Sequence, residues 1–272
     1  MSPRGLSERI GFLRARIAAI EARDGAAPPR APEAGAGFLD ALFAARGGLA
    51  EIFPARPPDA PAAGAFALAM ALRARAGRGG GALVFIVEDL SAREFGLPYG
   101  RGLAAAGADL TRFALIRSRR PRETLWAMEE ALKSPACAAV VAESFVTPRL
   151  YDLSASRRLL LAARRGGALG LLAPQGAEAA RFSSAAELRV EIAAAPPPGQ
   201  SARPPLSPMA PFQWRLRALK ARAGLLGEID PAQWRDILFD TDKAAFRHAF
   251  TERFPAEAGD RPALASPQRR RA

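Results

Sequence analysis

Short apolar runs alternate with amphipathic stretches in this chain, most clearly between Thr111 and Ser144. The apolar run from Phe113 to Ile116 predicts a short strand. From Pro121, which suits the first position of a helix, apolar residues recur at helical spacing until Pro135. The next run, Cys137 to Val141, is small or β-branched, as is typical of a strand buried on both faces. Strand, helix and strand in this order predict a parallel α/β unit, which binds ligands at the carboxyl ends of its strands.

The same alternation continues on both sides of this stretch. Further strands are predicted at Leu49–Phe53, Ala82–Val87, Ala168–Ala173 and Glu187–Ile192. Further helices are predicted at Ala62–Ala76, Arg101–Ala106 and Asp152–Arg165. Strands alternating with helices indicate an α/β fold with a mostly parallel central sheet flanked by helices.

The pattern divides the chain into five segments. We predict an N-terminal amphipathic helix in residues 1–24, a Pro/Gly/Ala linker in 25–37, an α/β core in 38–195, a C-terminal unit in 196–254 and a disordered basic tail in 255–272. Within the C-terminal unit, Phe212–Arg222 and Trp234–Phe239 are predicted to pair as a small β-hairpin. A short helix carrying His248, the lone histidine, is predicted to follow and to pack on or beside the core.

The apolar stripe of the N-terminal helix has two interpretations. It consists of Leu6, Ile10, Leu13, Ile17 and Ile20. The stripe either packs on the protein's own core, or docks on another protein, including a second copy of this chain.

Charge and composition narrow the class of protein. The 272 residues carry a net charge of +12, and 49% of them are hydrophobic, enough for a sizeable core. Arginine-rich composition accompanies GC-rich genomes, yet the excess over acidic residues favours a polyanion partner, nucleic acid above a membrane surface. No apolar run approaches the roughly 20 residues of a membrane span. Charges interrupt the N-terminal apolar pattern, so we expect a cytoplasmic protein without a signal peptide, in which Cys137 is an inert core thiol.

Two basic segments are candidate DNA contacts. One is the turn after the predicted strand at Phe113, and the other is the hairpin, where Trp214 is expected to stack on bases. The candidate residues are Arg117, Arg119, Arg120, Arg122, Trp214, Arg215 and Arg217. The alternative for the turn is a surface loop whose arginines bind no ligand. The alternative for the hairpin is a sheet edge whose arginines are solvated.

The junction between the first predicted strand and helix, from Pro54 to Gly64, is where nucleotide-binding α/β proteins place a phosphate loop. Such a loop needs glycines for backbone N–H access, a lysine for the outer phosphates and a Ser or Thr for the metal. Here prolines replace most glycines, no lysine precedes Lys133, and no Ser or Thr lies between Ser7 and Ser91. The position matches a phosphate loop, but the phosphate-binding chemistry is missing.

Carboxylates follow two predicted strands. Glu88-Asp89 ends one strand and Glu143-Ser144 ends another. A general base or metal ligand is one interpretation of Glu88-Asp89, and the start of a helix or turn is the other, which the degenerate loop favours. The chain has no Cys/His metal cluster and no spare histidine for a Ser-His-Asp triad. We therefore expect no metal and no cofactor.

Two segments resemble the ImuA family, RecA-like proteins of bacterial SOS mutagenesis cassettes. They are LWAMEEALKSPACAAVVAE, starting at Leu125, and DLSASRRLLLAARRGG, starting at Asp152. The order of the other segments fits as well, and the resemblance extends from Phe38 to Asp240. It implies a RecA-like core with a degenerate phosphate loop.

The resemblance also assigns places to the polar residues at the strand ends. It implies that Glu88-Asp89 occupy the region of the recombinase's catalytic carboxylate. Glu143-Ser144 would then stand at the Walker B end, where a recombinase has Asp-Ser, and Gln175 near its γ-phosphate-sensing glutamine. Because the loop lacks its lysine and hydroxyl, we interpret these five residues as a relic nucleotide site with no catalytic residue.

By the same resemblance, we expect a non-catalytic adaptor in SOS-induced, error-prone translesion synthesis after DNA damage. The implied partners are RecA recombinase, an ImuB-like protein, an error-prone polymerase III alpha-type subunit and DNA. Three alternatives stay open: a DNA-dependent ATPase with an atypical loop, a cell-division inhibitor similar to SulA, and a plain DNA-binding protein.

Overall fold

Among the residues that the structure describes, nine strands form one mixed sheet. The structure is a computed structural model that describes residues 47–176, 178–195, 212–222 and 233–248. The predicted N-terminal helix, linker and basic tail lie outside these ranges. In the described part, the strands lie in the order β3-β2-β4-β5-β1-β6-β7-β8-β9. The pairs from β3 to β6 are parallel, and the pairs from β6 to β9 are antiparallel.

The strands match the predicted apolar runs closely. Their bounds are β1 Gly48–Pro54, β2 Ala82–Glu88, β3 Phe113–Ser118, β4 Cys137–Ser144, β5 Leu169–Pro174, β6 Leu188–Ala194, β7 Phe212–Ala221, β8 Arg235–Asp240 and β9 Ala245–His248. Every residue of β1, β4 and β5 is buried, as continuous apolar runs in a parallel sheet predict. Cys137 is buried at the start of β4, and burial raises the pKa of its thiol.

Helices cover both faces of the sheet. Their bounds are α1 Ala60–Gly77, α2 Asp89–Phe95, α3 Gly100–Ala105, α4 Pro121–Lys133 and α5 Leu153–Gly166. Helix α1 packs on one face, and α4 and α5 pack beside each other on the other. Pro121 stands at the start of α4 as predicted, and the Asp152 carboxylate caps α5 by accepting from the Ala155 N–H at 2.8 Å. The α/β class and the mostly parallel sheet are confirmed.

The β3–α4–β4 unit skips a strand. Strands β3 and β4 are parallel, as predicted, but β2 lies between them and pairs with both. Strand β3 is therefore an edge of the sheet, and Leu115 and Ile116 in it are 43% and 37% exposed. The basic turn that follows β3 is consequently at the edge of the sheet.

The C-terminal hairpin is confirmed, but the predicted helix around His248 is wrong. Strands β7 and β8 pair antiparallel, and β7 also pairs with β6, so the hairpin continues the central sheet. Residues Ala245–His248 form β9 against β8. Phe246 packs on Phe66 and Phe239 with ring centroids 5.3 and 5.0 Å apart. Pairing with β8 and this aromatic contact favour a strand over the helical spacing of the local sequence.

Candidate functional site

Three of the polar residues predicted at strand ends meet directly, because β2, β4 and β5 are neighbours. The Ser144 hydroxyl donates to Glu88 Oε2 at 2.7 Å, and the Phe145 N–H donates to the same oxygen at 2.8 Å. The Gln175 N–H donates to the Ser144 carbonyl at 2.9 Å. Glu88, Ser144 and Gln175 are all buried. The Glu88 carboxylate is therefore held by this chain's own donors.

Glu143 lies on the other side of the sheet. Side chains alternate along β4, and Glu143 shares the α1 face with Val141. A Cβ added to Gly64 of α1 would lie 2.0 Å from Glu143 Oε1, so the carboxylate rests against that glycine. Within the described part of the chain it has no hydrogen bond or ion pair. Burial raises the pKa of Glu143 to about 7.

Asp89 lies apart from the Glu88–Ser144–Gln175 group and from Glu143. It begins α2 at the surface and forms an ion pair with Arg117, whose Nη2 lies 2.7 Å from Asp89 Oδ1. The Gln175 side chain is also distinct, because its buried Oε1 has no hydrogen-bond partner within the described ranges. The five predicted residues thus form a linked group of three, a carboxylate under α1 and a surface ion pair. Nothing in this arrangement gathers all five around one ligand.

The segment between β1 and α1 is closed by its own contacts. The Ala55 N–H donates to the Ile192 carbonyl at 2.8 Å, and the Asp59 N–H donates to the Arg56 carbonyl at 2.9 Å. The Ala60 N–H donates to the Pro57 carbonyl. Four residues of this segment and of the first turn of α1 are prolines, which have no N–H: Pro54, Pro57, Pro58 and Pro61. Few backbone donors are left for a phosphate.

Asp59 adds a negative charge at this position. Its side chain is 3% exposed, and it accepts from Arg56 Nε and from the Ala194 N–H, both at 3.1 Å. It directly precedes α1, whose N-terminus is the place where a phosphate would sit in a phosphate loop. A buried carboxylate there repels a second anion. The Arg56 contact is mostly exposed, so it offsets little of that repulsion.

The basic turn projects from the edge of the sheet. Arg119, Arg120 and Arg122 are exposed, and their side chains have no ion pair with any residue in the described ranges. Arg117 is already engaged by Asp89. The turn therefore presents three exposed guanidinium groups, close in sequence, that no described residue engages, and such groups suit phosphates.

The hairpin differs from its prediction. Trp214 is 3% exposed and packs edge-on against Phe66, so the prediction that Trp214 stacks on bases is wrong. It alternates with Arg215 and Arg217, which lie on the other face of β7. Arg217 pairs with Glu191, and the Arg215 guanidinium lies 3.6 Å from Asp236. Both arginines also lie over the Trp234 ring. Internal partners therefore neutralise much of the hairpin's charge.

A buried polar cluster was not predicted. Glu51, in the middle of β1, is fully buried. It accepts from the Tyr151 hydroxyl and from Arg189 Nε, each at 2.6 Å. Arg189 also donates to the Ala179 and Phe182 carbonyls at 3.0 Å. The available signal was a single charge inside an otherwise apolar strand, which is costly unless it is paired.

The described residues contain no group of three or more His, Cys, Asp or Glu that could hold a metal ion. In the same part of the chain, none of the helices has both the length and the apolar character to cross a membrane.

Comparison with known proteins supports the resemblance. No family model matches the chain. Protein ImuA, from two strains of Caulobacter vibrioides, is 33% identical over 165 residues, which cover 57% of this chain and 62% of the relative. The chain thus spans less than two thirds of the curated relatives it matches.

A crystal structure of SulA from Pseudomonas aeruginosa is 22% identical, with a TM-score of 0.35, covering 47% of this chain and 98% of SulA. A TM-score this low does not establish a shared fold. The sequence match is the firmer finding, and over its 165 residues this chain is similar to Protein ImuA.

Proposed function

We propose that this protein is a RecA-like, non-catalytic adaptor in damage-induced mutagenesis. The similarity to Protein ImuA supports a role in SOS mutagenesis and translesion synthesis. The adaptor assembles partners through its surfaces: a RecA recombinase filament, an ImuB-like protein and an error-prone polymerase subunit. DNA contact comes from the exposed turn, because the guanidinium groups of Arg119, Arg120 and Arg122 have no ion pair with any residue in the described part of the chain.

The observation that carries the non-catalytic part is the closed segment before α1. In P-loop NTPases, phosphoryl transfer depends on a backbone cradle, a lysine and a metal held by Ser or Thr. Here the N–H groups of Ala55 and Asp59 are bonded internally, and the Asp59 carboxylate is buried at the helix start. Glu88, the best-placed candidate for a catalytic carboxylate, is bound by Ser144 and Phe145. These contacts support a degenerate phosphate loop.

Complementation tests this proposal. In a strain lacking the gene, we expect damage-induced mutation frequency to fall to the uninduced level, and the wild-type gene to restore it. Glu88→Gln keeps the shape and an acceptor oxygen, so an adaptor carrying it should restore mutagenesis fully. Loss of mutagenesis with a folded Glu88→Gln chain, together with DNA-stimulated ATP hydrolysis by the wild type, would contradict the adaptor. Filamentous growth on overexpression without any change in mutation frequency would point to a division inhibitor.

DNA binding by the turn gives a separate prediction. Replacing Arg120 and Arg122 with Ala should weaken binding to single-stranded and duplex DNA, because each guanidinium pairs with a phosphate and releases counterions. The slope of log K against log salt should become shallower by roughly 0.7 to 0.9 for each phosphate that the variant no longer neutralises. Fluorescence anisotropy over a salt series measures both quantities.

The matched control removes the same charge elsewhere. Arg157 and Arg165 on α5 are outside the turn, and the double Ala variant changes net charge equally. We expect it to preserve most of the affinity and the slope. Equal losses of affinity in the two double variants would contradict a role of the turn, because they would mean that DNA affinity depends only on total charge.

A further inference from the structure

A cleft opens on the α1 face of the sheet, away from the Glu88–Ser144 group. Its volume is about 290 Å³. One wall is α1, the second is the segment from Phe95 through α3, and the third is formed by Phe212 and Phe239 of the hairpin. Glu143 is the only charged side chain among the described residues that line it. The cleft is thus an apolar enclosure that contains one carboxylate.

The walls of the cleft are lined mainly by apolar residues, whereas polar residues are typical of a cleft that holds water. Helix α1 has no charged residue from Ala60 until Arg73, although Ala65 and Leu68 line the opening. A helix that is apolar all round is normally covered all round. Here Gly64, Ala65 and Ala69 are small and leave the space unfilled. The side of α1 that faces the cleft therefore has the composition of a buried surface.

The rim carries large apolar side chains that the cleft volume does not bury. Leu97 is 45% exposed, Tyr99 69% and Phe212 40%. A free molecule small enough for about 290 Å³ would leave most of this rim in water. A protein surface covers a pocket and its rim together, and aromatic residues around a pocket are typical of such contacts.

Glu143 determines the charge of the occupant. Its carboxylate is buried at the cleft wall and has no partner in the described part of the chain. An uncompensated buried charge is costly, and a cationic donor relieves that cost. Lys and Arg suit this geometry because their methylene stems pack on apolar walls while the charged head reaches the acid.

We propose that this cleft docks a protein partner through an apolar segment containing one Arg or Lys. The basic side chain enters the cleft and donates to the Glu143 carboxylate, and the flanking apolar residues cover Leu97, Tyr99 and Phe212. This proposal rests on the adaptor function and names the chemistry by which one partner is recognised. It uses a surface on the opposite face of the sheet from Glu88 and Ser144.

Peptide selection on the immobilised full-length chain tests the proposal. A display library of random dodecapeptides is selected against the wild type, with nuclease present to exclude nucleic-acid bridging. We expect enriched sequences to combine apolar residues with one Arg or Lys. For a synthetic enriched peptide, changing that residue to Gln should weaken binding by at least about tenfold, because a buried charge pair is removed.

Three variants locate the peptide. Glu143→Gln should weaken binding by at least about tenfold, since it removes the acceptor charge but keeps the size. Gly102→Leu should block binding, since it adds bulk at the cleft and improves helix propensity in α3. The control Glu130→Gln removes an exposed carboxylate of α4 and should bind as the wild type does.

Other outcomes overturn the proposal. Enriched peptides that bind wild type, Glu143→Gln and Gly102→Leu equally would place the contact elsewhere. If no peptide is enriched and 2-phenylethylamine binds the wild type, the cleft is a site for small organic cations. Failure of every probe would overturn the proposal that the cleft docks a partner segment. None of these results depends on mutation frequency, so the docking proposal and the adaptor function are tested independently, the second by complementation.

Discussion

Replacing Glu51 with Leu should lower the free energy of unfolding by about 3 to 5 kcal/mol. The substitution leaves Arg189, whose side chain is 13% exposed, with a buried charge and no carboxylate. It also removes the acceptor of the Tyr151 hydroxyl, which stays protonated because burial raises its pKa. Since small domains are stable by only about 5 to 15 kcal/mol, this is a large share. Urea unfolding followed by circular dichroism measures the loss.

A triple variant separates the charge from the packing. Glu51→Leu, Arg189→Met and Tyr151→Phe together remove every polar side chain of the cluster, and such apolar replacements are often neutral or stabilising. We expect the triple variant to recover most of the stability that the single variant loses. Glu130→Gln on the surface of α4 should change stability little. A loss below about 1 kcal/mol in Glu51→Leu would contradict the view that the cluster is tightly coupled.

Stability should fall as the pH rises from about 4.5 to about 7, because Glu143 binds its proton more tightly when folded. Its pKa is about 7 in the folded protein, against an ordinary value of 4.5 for a solvated glutamate. Between these values the folded state holds more protons, so unfolding becomes easier with increasing pH. The pKa shift corresponds to about 3 kcal/mol of unfolding free energy. This stability is present below pH 4.5 and is fully lost above the folded-state pKa of Glu143. Other groups titrate too, so the contribution is read as a difference between variants.

Glu143→Gln isolates that difference. The variant cannot ionise at position 143, so it should be more stable than wild type at pH 8, and the advantage should shrink towards pH 5. Unfolding free energies at four or more pH values give both curves. Parallel curves for the two proteins would mean that the Glu143 carboxylate is solvated or paired in solution. Glu130→Gln should follow the wild type throughout.

Much of the fold could be predicted because its signals are local. A continuous apolar run marks β4, and Pro121 and Asp152 mark where helices start. The hairpin of β7 and β8 followed from alternation of apolar and polar residues. The position of β2 between β3 and β4 could not be predicted, because the neighbours of a strand in a sheet depend on long-range packing.

The candidate site was predicted in part for the same reason. The chemistry of the segment before α1 is a matter of composition, and prolines and missing hydroxyls are visible in sequence. Alternation along a strand places Glu143 and Ser144 on opposite faces, but which of the two faces α1 depends on long-range packing that the sequence does not show. Trp214 was misassigned because a tryptophan among arginines suits both a base-stacking surface and a sheet face packed on α1.

The position of β1 in the sheet has a consequence during synthesis. Its neighbours are β5 and β6, and Gly48 pairs with Leu169, so β1 leaves the ribosome long before either partner strand. At about 5 to 20 residues per second, it waits several seconds or more with both edges unpaired. An apolar segment in that state invites aggregation, and a charge within it is a common safeguard. Glu51 supplies that charge until Arg189, itself in β6, arrives to neutralise it.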